Sequence, residues 1–174
     1  MITESVEAGH QLEIDFFGWS PRHTEEERLA ILKPRLNFYD SYVEVLQSQR
    51  QLRWDAKEPC TETARNVFKA VRAAMPKGSR KKLFLYCALG TILDYRYGVD
   101  GFFMHGGNFL FCVTFDLTLT GGPMKRKKRK ANLLVTKSDL EDQARIEKLG
   151  LLVSGLLLTA QQNRIMVPTP TICN

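Results

Sequence analysis

No run of apolar residues in this chain approaches the roughly 18 that a membrane-spanning helix needs. Its start, MITESVEAGH, lacks the basic-then-apolar layout of a signal peptide. A cytoplasmic location with no membrane partner is therefore expected, or a nuclear one if the host is eukaryotic. Cysteine is scarce, and Cys60, Cys87, Cys112 and Cys173 stand too far apart for the usual spacing of a zinc site, a redox pair or a secreted disulfide framework. Free, mostly buried thiols are expected. His10, His23 and His105 do not cluster either, which argues against histidine-ligated zinc, and His105 beside two glycines reads as an exposed turn residue. There is no internal repeat, and low complexity is confined to one basic run.

What is present is enough for one core: 174 residues, 44% of them hydrophobic. The net charge is +6. Most of the surplus lies in Lys125, Arg126, Lys127, Lys128, Arg129 and Lys130, with a second group at Lys77, Arg80, Lys81 and Lys82, whereas the first sixty residues hold much of the acidic charge. That distribution suits a polyanionic partner such as nucleic acid. A basic run also serves as an ordinary solvated loop, or as an import signal in a nucleated host.

Hydrophobic periodicity and capping signals divide the chain into elements. Residues 1–19 show no clear period, although 12–16 could form a short strand. Thr24 and Glu27 have the spacing of a capping box, so a short helix should run to Pro34. Residues 38–54 read as a helix with Tyr39, Tyr42, Val43 and Leu46 on its packing face. Thr61 or Thr63 can cap a helix carrying Ala64, Val67, Phe68 and Val71, and a more apolar helix is predicted over 80–92. Residues 99–105 and 108–120 are rich in aromatic and β-branched side chains, and Gly106-Gly107 between them signals a hairpin. Alternation along the second strand puts Val113, Phe115 and Leu117 on one face and Cys112, Thr114, Asp116 and Thr118 on the other. After the basic run, 131–136 reads as a third strand. Ser138 and Glu141 resemble a capping box opening a helix to about residue 163, very apolar over 149–158, and 164–167 could add a fourth strand.

The expected architecture is α/β: a mixed sheet of three to four strands in a helix-β-β-β-helix-β core, flanked by helices. Residues 1–60 would form an N-terminal helical extension packed on the core at 61–167, with a tail at 168–174, all in one globular domain.

Asp100 begins one strand of the hairpin and Asp116 lies near the end of its partner, so pairing should bring them together. Two carboxylates in an apolar sheet repel each other, and a bound divalent cation is a common reason to keep both ionised. Mg²⁺ suits such oxygen ligands, and Asp94 could add a third. The plainer reading makes Asp100 and Asp116 strand-end carboxylates, solvated or paired with arginines, and Asp94 a turn residue.

Leu93-Asp94, then Gly98-Val99-Asp100-Gly101-Phe102-Phe103, then Val113-Thr114-Phe115-Asp116-Leu117-Thr118, together with the order of elements, resemble the core of the PD-(D/E)xK nuclease superfamily. The resemblance covers residues 61–167 and finds no counterpart for the first sixty. It implies that Asp100 matches the metal-binding aspartate, Asp116 the acid of the acid-x-lysine motif, and Asp94, or Glu62, an auxiliary acid. It departs from the pattern at Thr118, where the family has lysine; Lys125 and Lys130 are the nearest replacements.

The resemblance implies an Mg²⁺- or Mn²⁺-dependent endo- or exonuclease with catalytic Asp100, Asp116, Lys125 and Lys130. Its metal ligands would be Asp94, Asp100 and Asp116. Nucleic acid would be gripped by Lys77, Arg80, Lys81, Lys82, Arg126, Lys127, Lys128 and Arg129. The alternative is an inactive nuclease-fold module, such as a small viral or phage accessory protein, that binds nucleic acid or a host protein. A third is assembly through the apolar helix at 149–158, for instance as a homodimer.

Overall fold

Strands that are apolar on both faces must be covered on both sides, and the helices do this. A computed structural model describes residues 2–34, 36–106, 111–119 and 131–165. Its sheet has four strands in spatial order: β1 (Leu83–Cys87), β2 (Gly101–His105), β3 (Cys112–Thr118) and β4 (Leu133–Thr136). β1 pairs antiparallel with β2 from Leu83↔His105 to Cys87↔Gly101, and β2 with β3 from Gly101↔Phe115 to Met104↔Cys112. β4 runs parallel to β3, starting at Phe115↔Leu133. The expected α/β class with a mixed sheet is thus present. Seven α-helices flank it among the described residues: α1 (Ile2–Phe17), α2 (Glu25–Leu32), α3 (Phe38–Ser48), α4 (Glu62–Ala74), α5 (Ile92–Tyr97), α6 (Lys137–Glu141) and α7 (Gln143–Ile165).

One face of the sheet carries Leu83, Leu85, Cys87, Phe103, Val113, Phe115, Leu117 and Val135. It packs against Phe16 and Phe17 of α1, Val67 and Val71 of α4, and Val153 and Leu157 of α7. The opposite face, with Phe102 and Met104, is covered by Tyr42 and Val45 of α3 and Leu93 of α5. Close approach requires glycine at Gly101, where an added Cβ would lie 2.7 Å from Phe115 Cζ and 2.8 Å from Phe17 Cζ, and at Gly150, where it would lie 2.6 Å from the Ala70 carbonyl carbon.

Several sequence expectations are corrected. Residues 80–92 are not one helix: a 3-10 turn (Arg80–Lys82) leads into β1, and α5 begins only at Ile92. Burial on both faces makes β1 apolar throughout, so its period of two is hidden and its composition resembles that of a buried helix. The segment at 12–16 is helical, within α1. Helix α3 stops at Ser48 and turns Tyr42 and Val45 inward, leaving Tyr39 and Val43 54% and 37% exposed. His105 is buried in β2, and burial lowers its pKa. The third predicted strand is the parallel partner of β3 rather than the last limb of a meander; the antiparallel meander is β1-β2-β3. The helix start near Ser138 is instead set by Thr136, whose N–H (2.9 Å) and hydroxyl (2.6 Å) both donate to Asp139 Oδ2. Arg164 and Ile165 belong to α7, and residues 166 and 167 of the predicted last strand lie outside the described residues.

The Thr24 box forms as expected, with Thr24 N–H donating to Glu27 Oε2 at 2.7 Å and Glu27 N–H to Thr24 Oγ1 at 3.2 Å. Cys60, Cys87 and Cys112 are free thiols, of which Cys60 is exposed.

The outer edge of β1 is closed by the chain that follows α3. Trp54 Nε1 donates to Leu85 O (2.7 Å), and Leu85 N–H donates to Ala56 O (2.8 Å). Gln49 Nε2 donates to Cys87 O (2.8 Å), while Gln49 Oε1 accepts from Cys87 N–H (3.1 Å). Both residues are buried. Gln49→Ala strands the two backbone groups of Cys87, each of which costs roughly 1–3 kcal/mol when buried without a partner. The variant should therefore lose about 2–3 kcal/mol, read as a lower urea midpoint in equilibrium unfolding.

Candidate active site

The ladder between β2 and β3 changes at Asp100. Continuing the register would place Asp100 opposite Asp116, but the Asp100 N–H donates to Phe115 O (3.0 Å), one residue short. Its carbonyl accepts from Ala88 N–H at 2.8 Å, and its carboxylate Oδ2 accepts from Leu117 N–H at 2.7 Å. The side chain thus replaces a ladder bond where β2 begins. Asp116 stands on β3 at the same end of the sheet, and both residues are buried.

Asp94 arrives from α5. Gly90 turns the chain with φ +75°, and its N–H donates to Asp94 Oδ2 at 2.8 Å. The start of α5 is held from α3, where Glu44 Oε2 accepts from Ile92 N–H at 3.3 Å.

A fourth acid, Glu13, was not foreseen from the sequence. Helix α1 is pinned by Phe16 and Phe17, each 1% exposed, whose rings lie 5.5 and 6.1 Å from that of Phe115. That docking carries Glu13, one turn earlier, to the same end of the sheet. Glu13 Oε2 accepts from Ser20 Oγ. Ser20 Oγ also lies 2.5 Å from His10 Nδ1. Since the single serine proton is directed at Glu13, His10 must donate through Nδ1–H.

Burial raises the pKa of Asp100 well above the ordinary carboxylate range, and the charges of Asp94, Asp116 and Glu13 add to it, against the opposing bond from Leu117. Asp94 is pushed up to about 7, mainly by burial and then by Glu13 and Asp116, against the Gly90 bond and the charge of Arg28. The neighbouring Cys87 thiol is also raised by burial, which makes it a poor nucleophile. The acids are therefore close enough to repel. Among the described residues, however, no three His, Cys, Asp or Glu side chains close around a common point as a metal cage. The donor set of Asp94, Asp100, Asp116 and Glu13 consists of carboxylate oxygens, a chemistry that fits Mg²⁺ or Mn²⁺.

The remaining predicted residues lie elsewhere. Lys77, Lys81 and Lys82 are exposed near the start of β1, which pairs with the far end of β2. The length of β2, about 17 Å at roughly 3.3 Å per residue, separates them from the acids. Arg80 donates to Met75 O and Ala73 O, both at 2.9 Å, and so ties down the end of α4. Glu62 is exposed in the first turn of α4. Thr118 is buried at the end of β3, its Cα partner being Thr136. Lys125, Arg126, Lys127, Lys128, Arg129 and Lys130 lie outside the described residues. The cation whose field reaches Asp94 is Arg28 of α2, a residue for which the sequence offered no signal beyond a surface helix.

No protein-family model, no curated protein and no solved structure matches this chain.

Proposed function

We propose that this chain is a metal-dependent nuclease-like protein of the PD-(D/E)xK type that binds nucleic acid and hydrolyses phosphodiester bonds. One observation carries the reading: Asp100 and Asp116 stand buried at one end of the sheet, near enough to Asp94 and Glu13 for these charges to raise the pKa of Asp100. Mg²⁺ or Mn²⁺ held by Asp94, Asp100 and Asp116 would supply an activated water and offset the charge developing on phosphate. The chain's own groups orient those acids, with Leu117 N–H fixing Asp100 and Gly90 N–H fixing Asp94. Because a threonine at 118 brings no positive charge, Lys125 or Lys130 takes that role. The patch of Lys77, Lys81 and Lys82 then grips the backbone about five phosphates away, at roughly 3.4 Å per step. The order of one helix, three antiparallel strands and a further strand shares the expected sheet, while among the described residues helices α6 and α7 follow β4 and none stands between β3 and β4. The acids fall on its second and third strands rather than on the first and second.

A second reading is an inactive module of this fold, as in a viral or phage accessory protein, binding nucleic acid or a host protein. Thr118 favours it, as does Asp100, whose carboxylate already accepts a main-chain N–H. The two readings separate on labelled single- and double-stranded DNA and RNA incubated with Mg²⁺ or Mn²⁺. Cleavage that stops with EDTA supports the enzyme; intact substrates, with no heat of cation binding on titration, leave the binding module.

A further inference from the structure

Beside the acids, the N-terminal extension forms a cavity of about 420 Å³ whose lining includes His10, Arg22, His23, Arg28 and Tyr95. Its chemistry is opposite to that of its neighbour. Two arginines and two histidines line one hollow, while the charges of Asp94, Glu13 and Glu27 also reach its Tyr95 wall. The wall is ordered by contacts of its own: His23 Nδ1 lies 2.6 Å from the Tyr95 hydroxyl, and the Arg28 guanidinium sits 5.0 Å from the centre of the Tyr95 ring. Glu25 approaches Arg28 at 3.5 Å but is largely exposed and so offsets little of its charge. His10 is held through Nδ1 by Ser20, which in turn donates to Glu13, so this histidine shapes the wall of the cavity.

We propose that this cavity is a subsite for a terminal phosphate monoester of a nucleic-acid strand. Arginine matches phosphate oxygens with paired N–H donors, and the hydrogen-bonded pair of His23 and Tyr95 adds one further N–H or O–H donor. A monoester carries close to two negative charges at neutral pH and an internal phosphodiester carries one, so the two arginines match the end of a strand better than its interior. Tyr95 belongs to α5, as does Asp94, and this shared helix couples the cavity to the carboxylates. A strand end seated here would set the distance from the terminus at which the acids act. The choice of a nucleic-acid phosphate rests on the nuclease reading, but the phosphate site itself is tested without any cation.

The probes are short fluorescent oligonucleotides with a 5′-phosphate, a 3′-phosphate or hydroxyl ends, followed by anisotropy in EDTA with the full chain. One phosphorylated end should bind at least about tenfold more tightly than the hydroxyl-ended strand, and Arg22→Ala with Arg28→Ala should erase that difference. Arg28→Lys, which keeps the charge, guards against misfolding and should retain part of the preference. Competition by inorganic phosphate alone would place the recognition in the phosphate, whereas competition only by phosphorylated strands would add neighbouring nucleotides; both support the site. Equal binding of all three probes, or equal weakening of all three in the double variant, overturns it. A failed cleavage assay with an intact end preference would sink the nuclease reading and leave this subsite standing.

Discussion

Asp116→Ala should reduce cation-dependent cleavage of nucleic acid by about a thousandfold or more, the scale of losing several kcal/mol of charge stabilisation in the transition state. Asp116 lies near the end of β3, among acids whose fields overlap, so its loss removes both an oxygen donor and the charge that draws a cation. Asp116→Asn keeps the shape and should lose nearly as much, because a neutral amide oxygen is a weaker ligand for a hard cation. Asp94→Asn retains an acceptor for the Gly90 N–H and should lose less. The measurement is the initial cleavage rate at saturating Mg²⁺, set beside the heat of Mg²⁺ binding. A rate for Asp116→Ala equal to that of wild type would detach these acids from any chemistry.

The cation-free protein should become less stable as pH rises from 5 to 8. Asp94 has its pKa raised from 3.8 to about 7, and Asp100 is shifted in the same direction. Between those values the folded chain holds protons that the unfolded chain has released, so stability falls with increasing pH through the range in which Asp94 titrates. Between pH 5 and 8 only the part above pH 5 is lost, roughly 2.7 kcal/mol, which partial solvent screening of Asp94 reduces to about 2 kcal/mol. Urea melts in EDTA at pH 5 and pH 8 should show the drop, and Asp94→Asn should flatten it. Added Mg²⁺ should restore the most stability at pH 8, where the acids are most fully ionised and the cation has the most repulsion to relieve. A wild-type slope unchanged in Asp94→Asn would show that Asp94 is not the titrating group.

The hairpin was legible because apolar Val113, Phe115 and Leu117 alternate with Thr114, Asp116 and Thr118, although the fold buries both sets. The capping box at Thr24 was legible because it is a contact within four residues. The acid pair followed from strand pairing, since an antiparallel register is a local consequence of the hairpin. β1 was not legible: its burial alternates, but Leu83, Phe84, Leu85, Tyr86 and Cys87 are all apolar or aromatic, so the letters do not, and Gln49 and Trp54 close its edge. The tie that Arg80 makes to carbonyls at the end of α4 was not legible either, since no composition reveals it.

Glu13, Arg22 and Arg28 mark the limit of such reading. In the sequence they are scattered charges among the first thirty residues, separated from Asp94 by 66 or more residues. Only the docking of Phe16 and Phe17 against Phe115 brings Glu13 to the sheet, and only the contact of His23 and Arg28 with Tyr95 builds the cavity.

The order of residues by itself determined the α/β class, the capped helices and the hairpin with its two aspartates, because those depend on periodicity and on contacts between near neighbours. The strand hidden at 83–87, the parallel run of β4, the fourth carboxylate and the cationic hollow were decided by tertiary structure alone. Each depends on which distant surfaces lose water together, a free energy that belongs to the packed chain and to no single segment.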